Sequence, residues 1–372
     1  MNKKIKINKS VETGLKELLI SLLESRKIKA VFTLERNKDA VYYSLITDLE
    51  KVDQASPFLP FMPANGGKLL SKLTDIKSIS EPIAAVIHPC ELAAFIELIK
   101  KQQGSLDNLL IISSVCPGVM PINNISETNL DEKIKKYFES AKNSNIPTGL
   151  RENCEICSRI IPTNADIIIN LMDKDIDNSF ELYINSEKAE KFLGDENGEI
   201  LDSDFDFANN TFPQNIKDII SQKEKNRIAV NEKYKFDQLG MDGLIDLFGK
   251  CIGCHSCGGV CPICYCELCD FDSAEHEYKK NVLKSDLNSR AGVRLPPNTI
   301  LYQLGRLNHI STSCVGCGMC TDVCPVDIPV GMIFSSIGNS VQELFKYIPG
   351  ENLEEANPIT VYKKEELTNF ED

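Results

Sequence analysis

Residues 251–269 read CIGCHSCGGVCPICYCELC, which puts seven cysteines in nineteen positions. Four of them, Cys251, Cys254, Cys257 and Cys261, with Pro262 behind, spell C-x2-C-x2-C-x3-C-P. The same spacing returns at Cys314, Cys317, Cys320 and Cys324, followed by Pro325. Two-residue gaps let one tight loop present three thiolates to a cubane, and the fourth cysteine leaves that loop for the other cluster. The proline stops a helix from starting at once. Gly253, Gly258, Gly259, Gly316 and Gly318 permit the positive φ that such loops use. Zinc sites pair two short Cys-x-x-Cys units and lack the third cysteine and the proline. The repeat therefore predicts two 4Fe–4S clusters. By the crossed rule, one takes Cys251, Cys254, Cys257 and Cys324, and the other Cys314, Cys317, Cys320 and Cys261.

Outside these eight, the chain's 15 cysteines leave seven. Cys264, Cys266 and Cys269 follow the first motif directly, and Cys154 and Cys157 stand far upstream in NCEICSR. Cys154/Cys157 and Cys266/Cys269 are both Cys-x-x-Cys pairs, together enough for a third 4Fe–4S cluster joining the two halves of the chain. A structural zinc and unmetallated thiols are the alternatives, and Cys264 could replace one of the four. Cys90 in HPCELAAF and Cys116 in SSVCPG stand at the ends of strand-like runs, the edge that faces the ligand crevice of an open α/β sheet. A free cysteine is often simply buried.

The compartment decides how these thiols are read. The first residues, MNKKIKINKSVETGLKELLISLLESRK, have no uncharged apolar core and read as an amphipathic helix, not a signal peptide. No run approaches the length of a spanning helix. The expectation is a cytoplasmic protein without a transmembrane segment, in which thiols stay reduced and metal binding outranks disulfides. With 42% apolar and 26% charged residues, a core of ordinary size needs no cysteine staples. The net charge of −13 argues against nucleic acid, which demands a basic face.

Upstream of the cysteine-rich part, strand-like runs (KAVFTL, AVYYSLI, PIAAVI, LDNLLIISSV, ADIIINLM, SFELYI) alternate with helical ones such as CELAAFIELIKKQQ. That alternation marks an α/β layer structure. LGDENGEILDSDFDFANN reads as an exposed acidic insertion, and KDIISQKEKNRIAVNEKY as a charged linker helix. The expected fold class is an α/β N-terminal domain plus a mainly α-helical ferredoxin-like domain holding two clusters. The expected divisions are 1–225 (α/β), 226–248 (linker helix), 249–335 (dicluster module with a helical insertion around NTILYQLGRLNHIS) and 336–372 (helix and a tail that wraps back).

No G-x-G-x-x-G follows a strand, so the common dinucleotide fingerprint is missing. GLIDLFGKC has five residues between its glycines and Cys251 where Ser or Thr should stand, so it is not a phosphate loop. There is no C-x-x-C-H for haem, and four histidines are too few for a histidine-built metal site. No residue is singled out as catalytic.

Several stretches together carry a family likeness: PFLPFMPANGGKLLSKLT (57–74), HPCELAAFIELIKKQQGSLDNLLIISSVCPG (88–118), GLRENCEICSRIIPTNADIII (149–169), the two cysteine motifs and VQELFKYIPG (341–350). The chain resembles the beta-subunit family of coenzyme F420-reducing hydrogenases and formate dehydrogenases. The nearest branch carries two C-terminal ferredoxin motifs and is associated with heterodisulfide reductase-type complexes. The resemblance implies an electron-transfer subunit binding FAD in the α/β domain, with His88, Pro89, Cys90, Cys116 and Asp166 near the flavin. It further implies catalytic partners of the formate dehydrogenase, hydrogenase or heterodisulfide reductase type, and exchange with ferredoxin or F420. A flavin beside a cluster converts two-electron into one-electron transfer. Two rival readings stand: a cofactor-free docking scaffold in which the clusters alone form a wire, and a thiol reductase using Cys90 or Cys116.

Overall fold

The computed structural model describes residues 3–362 apart from 39, 127–128, 174, 194–198, 208, 236–237, 239, 274–279 and 293–298. In chain order the first half runs β1 (Lys3–Ile7), α1 (Val11–Glu24), β2 (Ala30–Asn37), β3 (Ala40–Ile46), α2 (Gly66–Thr74), β4 (Ile83–Val86), α3 (Pro89–Lys100), β5 (Leu109–Val115) and α4 (Leu130–Lys142). There follow α5 (Glu152–Glu155), β6 (Ile167–Asn170), β7 (Phe180–Ile184), α6 (Glu187–Leu193), β8 (Glu199–Asp202) and α7 (Gln214–Tyr234). Strands pair in the order β3-β2-β4-β5-β6-β7-β1-β8. The central β2, β4, β5 and β6 are parallel, and the outer strands pair antiparallel.

The parallel strands read as unbroken apolar runs because both of their faces are covered. Ala84, Val86, Leu110 and Ile112 pack under α1, whose Leu15, Leu18, Leu19 and Leu22 form one stripe. Ile83, Ala85, Leu109 and Ile111 pack on the opposite face against Leu70 of α2, Phe95 of α3, and Ile216 and Ile219 of α7. The N-terminal stretch is not all helix: Lys3–Ile7 forms a strand, with lysine and isoleucine alternating from Lys4 to Ile7, before Ser10 caps α1. The acidic insertion carries the edge strand β8 and two buried rings, Phe205 and Phe207, while its residues 194–198 and 208 lie outside the described residues.

α2 and α3 cross at backbone contact. A Cβ on Gly67 would sit 2.0 Å from the Glu91 carbonyl oxygen and 2.9 Å from the Phe95 nitrogen. Gly67→Ala should therefore push the two helices apart, at a cost of about 1–3 kcal/mol or more. Thermal unfolding of the full chain, followed by circular dichroism, should show a lower midpoint.

The second half is helical: α8 (Gly240–Phe248), α9 (Ser256–Val260), α10 (Lys280–Arg290), α11 (Thr299–Ile310), α12 (Met319–Asp322) and α13 (Val330–Phe345). It has its own core, in which Phe248, Tyr302, Ile310, Ile333 and Phe334 surround the cysteines. α7 runs through residue 225 and α13 through residue 335. The tail returns to the sheet: buried Glu97 on α3 accepts hydrogen bonds from the Tyr347 hydroxyl (2.5 Å), the Gly350 N–H (3.0 Å) and the Asn357 amide (2.9 Å). Residues 363–372, the end of the expected wrapping tail, lie outside the described residues.

Candidate iron–sulfur centres

The two cysteine loops have one conformation. Gly253 (φ 66°) and Gly316 (φ 67°) occupy the third position, His255 (φ 58°) and Gly318 (φ 72°) the fifth. These left-handed residues turn the chain so that amides face sulfur. The backbone amides of Gly253, Gly316 and Met319 favour the thiolates of Cys251, Cys314 and Cys317. Past each loop the pattern continues: Ile263 and Cys264 donate to Cys261, and the Ile328 N–H lies 3.3 Å from Cys324 Sγ. His255 is not glycine, and its ring finds a place stacked on Tyr302 with centroids 3.8 Å apart.

Cys261 leaves its own loop and sits among Cys314, Cys317 and Cys320, each of whose thiols feels its charge. Burial pushes Cys314 up to about 11, Cys317 up to about 12, and Cys320 well above the ordinary thiol range. Cys261 goes the other way, because the Cys264 thiol donates to it and Arg306 adds positive charge. Crowded thiols that resist ionising singly suit a cationic iron core, which supplies the charge they lack. All fifteen cysteines are free thiols.

A third group of thiols gathers at the C-terminal ends of the parallel strands. Cys90 opens α3 just past β4, Cys116 directly follows β5, and Cys154 and Cys157 come from α5 and the turn behind it. All four line one small cavity, with His88, Lys223 and Cys317 in its wall. The Val119 N–H lies 3.4 Å from Cys154 Sγ, and the Gly118 N–H bonds Cys116. Burial raises Cys116 to about 12 and also raises Cys90 and Cys154. Lys223, buried on α7, brings an ammonium to this wall, with Nζ 2.7 Å from the Cys154 carbonyl and 3.3 Å from that of Pro117. Four thiols, amides turned to sulfur and a buried cation are the donor types an iron–sulfur centre uses, although among the described residues no three Cys, His, Asp or Glu side chains converge closely enough to hold a single metal ion.

This differs from the sequence expectation in three places. Cys154 and Cys157 meet Cys90 and Cys116, and neither Cys266 nor Cys269 lines their cavity. Cys266 is exposed, near Lys101, whose ammonium lies over the Tyr265 ring. Cys264 instead bonds Cys261. Asp166 is not in the crevice either. It precedes β6, at the opposite end of the sheet, accepting from the Ile111 N–H (2.8 Å) and the Ser186 hydroxyl (2.6 Å) and pairing with Lys188 (3.0 Å). His88, Pro89, Cys90 and Cys116 do come together, but around thiols. His88 is held by its capping box with buried Glu91, whose carboxylate also accepts from Tyr43 and the Gly66 N–H.

Sequence reasoning did not find the buried cations. Arg151 pairs with Asp322 (2.6 Å) and donates to the Cys317 carbonyl (2.7 Å). Lys68, only half-buried, donates to the carbonyls of Gly259 (2.8 Å) and Cys261 (2.9 Å). Beside Cys157 lies a cavity of about 490 Å³ lined by Arg159, Arg227 and Lys346, and a second of about 200 Å³ that shares Cys157, Ser158 and Arg159 and reaches Pro89 and Cys90.

The paired loops and their shared thiols define a dicluster iron–sulfur protein, and a family profile described as 4Fe-4S dicluster domain matches residues 247–328. Over most of its length the chain is similar to the F420-dependent formate dehydrogenase subunit beta of Methanocaldococcus jannaschii. The two are 28% identical over 360 residues, covering 88% of this chain and 89% of that protein. It is likewise similar to the F420-dependent formate dehydrogenase 1 subunit beta of Methanococcus maripaludis, 27% identical over 91% of this chain and 90% of the relative. A chain of the F420-reducing [NiFe] hydrogenase complex from Methanosarcina barkeri aligns with 65% of this chain at a TM-score of 0.43 and 10% identity. Among the described residues no helix is long and apolar enough to cross a membrane.

Proposed function

We propose that this chain is the electron-transfer subunit of a formate dehydrogenase- or hydrogenase-type complex, in which thiol-held clusters link a flavin site to a partner subunit. Cys251, Cys254, Cys257 and Cys324 hold one cluster in this reading, and Cys261, Cys314, Cys317 and Cys320 the second. Cys90, Cys116, Cys154 and Cys157 hold a third. When bound, such clusters each take up and release single electrons.

One observation carries the reading: the three thiol groups are contiguous. Cys317 of the second group also lines the cavity of the third, and Arg306 acts on Cys257 of the first and on Cys261 of the second. The chain's own residues exclude water, turn amides towards sulfur, and offset thiolate charge with buried cations. The double cavity at Cys157 is the flavin site in this reading. Arg159, Arg227 and Lys346 offer donors of the kind a pyrophosphate needs, and the volume is in the range of cofactor sites. The first 225 residues form the flavin-type domain, 226–248 the linker, 249–335 the dicluster module, and 336–372 the helix and tail. F420, ferredoxin or a heterodisulfide reductase-type module would be the exchange partner, with the relatives' names favouring F420.

The test is purification without oxygen from native cells. It should give about twelve irons and twelve sulfides per chain, the complement of three 4Fe–4S clusters. It should also give about one released flavin and co-purification with an oxidoreductase subunit. Zinc in place of iron sinks the electron-transfer reading, and iron without flavin leaves the cofactor-free wire.

A further inference from the structure

α11 belongs to neither cysteine loop, yet it lays three polar side chains against the first. Tyr302, Gln303 and Arg306 are buried on one side of it. Arg306 Nη1 donates to Cys257 Sγ at 3.0 Å, and Nη2 to the carbonyl of the same residue at 3.1 Å. Gln303 Nε2 lies 3.9 Å from the sulfurs of both Cys251 and Cys257, and its Oε1 receives Arg306 Nη1 at 3.3 Å. The guanidinium is clamped between the rings of Tyr302 (5.4 Å) and Phe334 (4.8 Å), and its Nε has no partner.

A buried guanidinium is stable only against a counter-charge. The groups that Arg306 meets are a neutral amide, a carbonyl, two aromatic faces and cysteine sulfur, so its charge is directed at the sulfur. The second loop is served differently. Its guanidinium, Arg151, is paired with Asp322 and donates to the Cys317 carbonyl; its charge reaches Cys317, but among the described residues it makes no hydrogen bond to a cysteine sulfur. Cys261 feels the charge of Arg306 through space, but the N–H and S–H groups that favour its thiolate directly are neutral. A hydrogen bond from a charged donor is roughly twice as strong as one between neutral groups. Hydrogen bonds and positive charge at the sulfurs favour the more negative, reduced state of a cluster. Cys254 of the first loop is also the one exposed thiol of the eight.

Resting on the assignment of the two ferredoxin-type centres, we propose that Arg306, held in place by Gln303, is a positioning residue. It raises the reduction potential of the centre at Cys251, Cys254 and Cys257 above that of the centre at Cys314, Cys317 and Cys320. Added electrons then reside beside the exposed Cys254 edge. The reduction adds one electron, and no bond forms or breaks.

The experiment is a redox titration of the full-length, cluster-loaded protein with dithionite as electron donor, followed by electron paramagnetic resonance. Arg306→Met removes the charge and keeps the stem, Arg306→Lys restores a charge without the fork, and Gln303→Leu keeps the guanidinium but frees it. At a fixed potential, Arg306→Met should lower the reduced-to-oxidised ratio of one centre roughly tenfold, about 59 mV for one electron, and that of the other clearly less, because Arg306 reaches it only through space. Arg306→Lys should recover part of the loss, and Gln303→Leu should show a smaller drop at the same centre. If Arg306→Met loads less iron, the other two variants decide. Unchanged ratios in iron-replete variants, or equal shifts of both centres, overturn the proposal. A wild-type protein that carries no iron overturns the assignment beneath it instead.

Discussion

Replacing Arg151 by alanine should destabilise the chain by about 3–5 kcal/mol, the cost of leaving one member of a buried ion pair without its partner. The side chain is 2% exposed and that of its partner Asp322 is 6% exposed. Nε and Nη2 both reach Asp322 Oδ2, at 3.0 and 2.6 Å, while Nη1 donates to the Cys317 carbonyl at 2.7 Å. Asp322 in turn accepts from the Ile122 N–H at 3.1 Å. One guanidinium thus ties the loop after β5, the start of α5 and the second cysteine loop together. Its positive charge opposes its burial, but Cys154, Asp322 and Cys317 outweigh that and hold the proton more firmly. The double variant Arg151→Met, Asp322→Leu removes both charges, so it should recover most of the loss, short by about 1–3 kcal/mol for the orphaned Ile122 N–H and Cys317 carbonyl. Arg36 makes a useful contrast. Its partner Asp131 is 82% exposed, so Arg36→Ala should change stability by less than about 1 kcal/mol. Thermal unfolding of anaerobically prepared protein ranks the variants. Equal losses for Arg151→Ala and Arg36→Ala would show that the buried hub is not what joins the halves.

The parts written locally in the chain were legible, and the parts made by topology were not. The doubled C-x2-C-x2-C-x3-C-P carries its own loop geometry, so the two cysteine loops could be read from spacing. The apolar runs at 83–86 and 109–115 announce strands covered on both faces. What spacing cannot say is which distant cysteines meet. Cys116 and Cys154 stand 38 positions apart and join only because β4 and β5 are parallel neighbours whose ends face α5. Both Cys90 and Cys116 do follow strands directly, and placing them in one cavity with Cys154 and Cys157 needed the strand order as well. Cys266 and Cys269 have the spacing of a ligand pair but do not line the cavity of Cys154 and Cys157. Asp166 failed for a simpler reason: β6 begins one residue after it, which puts it at the wrong edge of the sheet. The cations left weak traces. Lys223 is seven residues after Ile216 and four after Ile219, in register with the buried face of α7, and Arg306 stands four after Tyr302 on that of α11. A charge on an apolar stripe is a signal, but one that solvated stems also produce.

Serine in place of Cys154 should remove about four of the twelve irons, because a 4Fe–4S cluster needs its full thiolate set and a hydroxyl is a poor substitute. Cys90→Ser, Cys116→Ser and Cys157→Ser should lose the same four, since all four side chains line one cavity. Cys317→Ser should lose a different four, and the remaining signals should identify which. Cys266→Ser is the discriminating control. Its side chain is exposed and does not line that cavity, so iron content should match the parent. The alternative joins Cys154 and Cys157 to Cys266 and Cys269 and predicts the reverse pattern, with loss in Cys266→Ser and none in Cys116→Ser. The two arrangements also differ in what happens when Lys223 is replaced by methionine. Its ammonium touches the Cys154 and Pro117 carbonyls, so only a cluster in the strand-end cavity would feel the change. Its midpoint potential should fall, with the iron count kept, because a nearby positive charge favours the reduced state. A drop confined to the centre that Cys116→Ser abolishes would locate that cluster independently of the iron count.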